Sequence, residues 1–156
     1  MQKIKSKQLS GFSLIEVILA VAIFSIFSAV AITFSFQALQ VERQGNEKEL
    51  AIGYAEEGIE IVRAICDDSF SNLNDTESSG LEFSNGKWNF SGENNELSIF
   101  KRIISVYTVK RDENGNIVDD NGTDDQDMKK IISSVSWNTA SGQAVSVDLE
   151  TYLSQR

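Results

Sequence analysis

The residues best suited to chemistry in this 156-residue chain are acidic and crowd into one stretch. Asp112, Glu113, Asn114 and Asn116 are followed by Asp119, Asp120, Asn121, Asp124, Asp125 and Asp127, with Gly115 and Gly122 between them. Hard oxygen ligands at alternate positions with glycine turns suit Ca²⁺, and Asp119, Asn121, Asp125 and Asp127 are the candidate ligands. No glutamate closes a twelve-residue loop begun at Asp112, Asp119 or Asp120, so the EF-hand pattern is not met. The favoured reading is a solvated, mobile hairpin loop between Arg111 and Met128, rich in turn formers. The chain then needs no cofactor, and calcium is the one candidate. The sequence has no histidine, which removes the commonest general base and the commonest transition-metal ligand together. Trp88 and Trp137 could stack on a sugar, but their places in strand-like segments favour packing. Cys66, the single cysteine, cannot close an internal disulfide and reads as a small hydrophobe at the end of an apolar stripe. With no nucleophile–base pair and no phosphate loop, the chain does not read as an enzyme.

One carboxylate stands apart. Glu16 is the only charge between Lys7 and Glu42, and it directly precedes twenty uncharged residues, Val17 to Phe36. As a helix rising about 1.5 Å per residue, that run spans roughly 30 Å, the thickness of a bilayer's hydrocarbon core. Its serines and Thr33 can return their hydroxyls to the helix's own carbonyls. Lys3, Lys5 and Lys7 should stay cytoplasmic, which places the C-terminal body outside. A cleaved secretory signal would have an apolar stretch of about 7–15 residues. Ala20-Val21-Ala22 offers a small-residue site, yet the run continues well past it. A carboxylate carried to the bilayer centre costs on the order of 2.5–3.5 kcal/mol, so a plain anchor explains the length but not Glu16. From the physics alone, plain anchor and functional carboxylate both stay open.

The neighbouring residues bear on that choice. Lys5-Ser6-Lys7-Gln8-Leu9-Ser10-Gly11-Phe12-Ser13-Leu14-Ile15-Glu16 resembles the leader of type IV prepilins and secretion pseudopilins. In those families a short basic leader ends in glycine, phenylalanine follows, and glutamate is the fifth mature residue. The resemblance covers residues 1 to about 36. It implies cleavage between Gly11 and Phe12 by a prepilin peptidase, N-methylation of Phe12, and pairing of Glu16 with a neighbouring subunit's N-terminal amine. It also implies as partners the membrane, other pilins or pseudopilins, and an inner-membrane assembly platform with its ATPase. The expected location is the bacterial inner membrane, crossed once with the N-terminus cytoplasmic, and then a pilus or pseudopilus. Val17 and the stretch Ser134-Val135-Ser136-Trp137 look most like the PilV-type minor pilins and GspI-type pseudopilins. Many major pilins carry proline inside the apolar helix, and this chain has no proline at all.

These residues must be positioned by a larger frame. The expected organisation is a cleavable leader over 1–11, a transmembrane half-helix over 12–40 and an outer domain over 41–156. From Glu42 onward there are 22 acids and 11 basic residues, a net of −11 obtained from totals of 23 and 14 less those before Glu42. So acidic a body argues against nucleic acid as its main partner. Helical period persists to about Cys66, with Leu50, Tyr54, Ile61 and Ile65 on one flank and Ile52, Ala55, Ile59, Val62 and Cys66 on the next. Gly58 lies mid-face, and Gly45 and Gly53 each cost about 1 kcal/mol of helix propensity. A polar connector over 67–80 leads to strands. Leu81–Ser84 and Lys87–Phe90 flank Asn85-Gly86 as a hairpin. A strand over Leu97–Lys110 puts Ile103, Tyr107 and Val109 on one parity. Lys130–Trp137 and Ala144–Leu153 form a second hairpin, with Val145, Val147, Leu149 and Leu153 alternating inward. The fold class is α+β: a long N-terminal transmembrane helix packed on a small antiparallel sheet, the type IV pilin-like plan. The competing class is a membrane-tethered binding module that grips calcium, a glycan or a surface partner.

Overall fold

The computed structural model describes residues 13–155, which divide into two compact units at Arg43/Gln44. One helix, α1, runs over Leu14–Asp68. In the first unit its apolar residues are all exposed, and an 18-residue window reaches a mean hydropathy of 2.7. Ser25, Thr33 and Ser35 donate their hydroxyls to Val21, Ala29 and Ala31 carbonyls at 2.8–3.0 Å, so the run holds these polar groups without needing water.

In the second unit α1 lies on a seven-stranded antiparallel sheet, the expected α+β plan. The strands are β1 Thr76–Ser84, β2 Lys87–Ser91, β3 Asn95–Leu97, β4 Phe100–Arg111, β5 Ile117–Val118, β6 Thr123–Asn138 and β7 Ala144–Ser154. Their order is β2-β1-β4-β6-β7, and β3 and β5 also pair with β4. The expected hairpin at Asn85-Gly86 forms, with both residues at positive φ (54° and 78°), the primed turn that matches strand twist. The hairpin β6–β7 also forms, and β7 alternates as expected, with Leu153 buried and Val145, Val147 and Leu149 half-buried against the core.

Three expectations need correction. The connector is not polar throughout: a 3₁₀ turn at Phe70–Asn72 drops Leu73 into the core, and β1 begins at Thr76. Strand β4 faces the helix with its even positions, Phe100, Arg102, Ile104 and Val106, so Ile103 and Tyr107 point to the other face. Val109 shares their parity and is nonetheless buried, beside the register shift with β6 between Thr108 and Val109. Leu50 is 55 % exposed, because the helix's buried line runs through Ala51, Ala55, Gly58, Val62 and Ile65 instead. Small residues there let helix and sheet approach, and Leu50 falls off the seam.

The core forms two clusters. One joins Ile61, Val62 and Ile65 to Ile104, Val106, Ile131 and Leu153. The other joins Ala51 and Ala55 to Phe100, Val135 and Trp137. On each element one residue separates them: Gly58 on α1, Arg102 on β4 and Ser133 on β6. A Cβ on Gly58 would lie 2.6 Å from Ser133 Oγ and 3.1 Å from both Arg102 Cδ and Ile104 Cδ1. Gly53, on the same helix, has nothing within 4 Å of that position. Gly58→Ala is therefore expected to lower stability by about 1–3 kcal/mol through overpacking. Gly53→Ala should raise it by up to about 1 kcal/mol through helix propensity. Urea unfolding of the detergent-solubilised chain checks both; equal effects would mean that the helix does not lie this close to the sheet.

Candidate functional site

Glu16 sits in the first turn of α1, where the Glu16 and Val17 amides reach back to the Ser13 carbonyl at 3.0 and 3.3 Å. A carboxylate there is favoured by the positive end of the helix dipole. Among the described residues none forms an ion pair with it. Around and beyond it Leu14, Ile15, Val17, Ile18 and Leu19 are 51–80 % exposed, and large apolar side chains continue exposed as far as Val41. Each such side chain gains roughly 1.5–3 kcal/mol when fully withdrawn from water. A surface of this kind is stable only in lipid or against other helices, and a lone carboxylate at its start needs a cation once it is so covered. Gly11 and Phe12, the expected processing residues, lie outside the described residues.

The acidic stretch is not the single loop expected between Arg111 and Met128. The chain turns at 112–116, pairs as β5 along one side of β4, then crosses the end of β4 to start β6 at Thr123 on its other side. Gly122 makes this crossing possible, since a Cβ there would lie 2.8–2.9 Å from the Arg111 backbone. Gln126, Asp127 and Met128 then lie between the pairs Val109↔Asp125 and Thr108↔Lys129, as a bulge on β6. Asp125 Oδ2 accepts from Arg111 Nε at 2.6 Å, and its Oδ1 accepts the Asp127 amide at 3.0 Å. The Arg111 guanidinium chiefly holds the Asp125 carboxyl below its usual value. Asp112 folds back on the Asn114 and Asn116 amides and the Asn116 side chain, which lower its pKa in the same sense. Asp119 lines an open cleft with Tyr107, Lys130 and Tyr152, and Asn121 takes φ 58°. Among the described residues no group of three or more acidic or cysteine side chains converges as a metal site.

Two functional-looking side chains escaped the sequence reading. Arg102, 3 % exposed, donates from Nη1 to the Tyr54 carbonyl (3.1 Å) and Glu57 Oε1 (3.3 Å), and from Nη2 to Asn95 Oδ1 (3.2 Å). Asn95 in turn pairs with both backbone groups of Leu81 at 2.9 Å. Glu47, 8 % exposed, accepts from Trp137 Nε1 at 3.2 Å. The signal was present for Arg102, a charge at an even position of β4 among buried apolar ones. Glu47 looked like one more acid on a charged helix face. Trp137 is thus a core residue, tilted against Phe100 at 5.5 Å, and Trp88 packs edge-on to Phe83 at 5.3 Å, as their strand positions suggested. Cys66 is half-buried beside the core.

Against known proteins, residues 7–32 match the family model described as the prokaryotic N-terminal methylation motif. No curated protein and no solved structure matches the chain.

The depressed Asp125 pKa carries a sign. Stability from its ion pair is fully present above the ordinary value of 3.8 and is lost as pH falls through the lower folded value. Asp125→Asn should therefore unfold more readily than the parent chain at neutral pH, with the gap closing below about pH 4. A gap independent of pH would mean the pair contributes packing only. With Asp125 engaged by Arg111, millimolar Ca²⁺ is expected to leave the parent's Tm unchanged. A rise in Tm abolished by Asp125→Asn or Asp127→Asn would instead make the stretch a calcium site.

Proposed function

We propose that the chain is a structural subunit of a type IV filament, a pilus or secretion pseudopilus, and a minor one. The observation that carries this is the coincidence of the methylation motif over residues 7–32 with a helix whose apolar surface is exposed from Leu14 to Val41. The motif supports a prepilin, and the helix supports anchoring in a membrane.

On this reading prepilin peptidase cuts between Gly11 and Phe12, and Phe12 becomes the N-methylated terminus. The lysines at 3, 5 and 7 hold the N-terminus in the cytoplasm and the second unit is exported. The subunit waits in the inner membrane with Glu16 near the interface. The assembly platform and its ATPase then draw it into a bundle of other pilin or pseudopilin helices. There Glu16 attracts a neighbour's terminal ammonium, and an offset subunit would bury both charges unpaired. That penalty sets the register. The likeness to PilV-type and GspI-type subunits rests on Val17 and the Ser134–Trp137 stretch of β6.

Two measurements test the reading. Co-expression with a prepilin peptidase should shorten the chain by its first eleven residues and leave Phe12 terminal by mass spectrometry. A cut after Ala22, or none, would sink the prepilin reading. Glu16→Ala and Glu16→Gln should both insert and both be cut, yet fail to crosslink to neighbouring subunits through the helix. If Gln incorporates well and Ala does not, shape rather than charge is the contribution of Glu16.

A further inference from the structure

The two edges of the sheet are built differently. Strand β2 is five residues long, opens with Lys87 bonded to Asp68 at 2.8 Å, and leans Trp88 and Phe90 on the core. Short length and a lysine are devices that keep an edge from pairing with other chains. Strand β7 has neither. It is eleven residues long, about 36 Å at ~3.3 Å per residue. Its register with β6 runs from Met128↔Ser154 to Asn138↔Ala144 without a shift, so no bulge twists the edge away. It contains no lysine and no proline, and among the described residues no strand pairs with its far side. A regular row of amide and carbonyl groups is therefore presented for pairing.

The side chains along this edge state what would fit it. On the helix side Val145, Val147 and Leu149 pack against the Phe100–Trp137 cluster but remain half-exposed. On the other face Glu150 is occupied, accepting from Lys130 at 2.8 Å and from Tyr152 at 2.8 Å. Asp148 is exposed and makes no ion pair among the described residues. We infer that β7 is a docking edge for an extended segment of another protein in which apolar residues alternate with lysine or arginine. Apolar side chains of that segment cover Val147 and Leu149, and a cation stands opposite Asp148, where cross-strand opposite charges stabilise. A second copy fits worse. Its own β7 has no basic residue, and antiparallel pairing centred on Leu149 sets Asp148 against Glu150. The other edge of a second copy is short, and its Lys87 is already engaged. The net charge of −9 further favours a basic partner over an acidic twin.

This edge is independent of the filament reading, so each can fail alone. The test uses the full chain in neutral detergent and a capped nine-residue peptide alternating valine and lysine. Hydrogen exchange resolved along the chain is the readout, because cationic peptides also bind acidic surfaces without pairing. Exchange of the outward amides of β7 is expected to slow at least tenfold with the valine–lysine peptide. The slowing should vanish when alternate peptide nitrogens are methylated, and in Val147→Lys, which puts a charge on the helix side of the edge. Asp148→Lys, at an exposed position, should weaken it tenfold even if Val147→Lys unfolds. Equal slowing by a valine–glutamate peptide, or binding with β7 unprotected, would overturn the inference. So would dimeric chain with β7 protected in the absence of peptide.

Discussion

The guanidinium of Arg102 lies between helix and sheet, with one nitrogen on the Tyr54 carbonyl and Glu57 and another on Asn95, which itself clasps Leu81. A buried charge of this kind is costly unless its donors find acceptors, and both terminal nitrogens of the Arg fork find them here, on α1 and on β3, while Nε has no partner among the described residues. Gly58 leaves the space it occupies, and Ile104 and Ser133 close around the same point. Sliding the helix by one residue would replace Gly58 with a side chain and carry the Tyr54 carbonyl out of reach. Apolar contacts alone are forgiving of such shifts, because Val62 or Ile65 can bury against several neighbours. The polar layer between the two clusters selects one register, and the pairing of Trp137 with Glu47 nearer the start of the second unit selects the same one.

That fixed register matters because one helix serves two surroundings. In its second-unit portion the buried line runs from the small residues Ala51, Ala55 and Gly58 to Ile61, Val62 and Ile65, and the opposite side carries Glu56, Glu60 and Arg63 in water. In its first-unit portion apolar residues go all the way round, which suits lipid or a bundle of like helices. Glu16 is the one charge in that surface from Leu14 to Val41 and has the helix dipole as its local support.

The sheet distributes its polar groups with similar economy. Two acids of 112–127 are drawn into local structure, Asp112 closing a turn and Asp125 holding Arg111 where the chain crosses β4. Farther along, Asp75 is pushed up by burial but brought below its usual value by hydrogen bonds from Lys129 and Thr108. Each of these ties one strand end to its neighbour. β7 is the exception, with its pairing groups and Asp148 turned outward.

Local rules were enough for the features that depend on near neighbours in the chain. The uncharged run after Glu16, the Asn85-Gly86 turn and the alternation of Val145, Val147 and Leu149 each follow from period and composition, because helix, turn and strand are set within a few residues. Four features depended on residues far apart and so were decided only by the tertiary structure. Val109 is buried on the parity that Ile103 and Tyr107 leave open, beside the residues that β6 inserts between its pairings with Thr108 and Val109. The acidic stretch became part of two strands because β4 was there to be crossed. Leu50 was left in water because Ala51, not Leu50, met the sheet. Arg102 was buried because Tyr54, Glu57 and Asn95, 48, 45 and 7 residues away, converge on it in space. Sequence period records which side of an element is apolar, whereas which side meets a partner, and how closely, is settled by the partner.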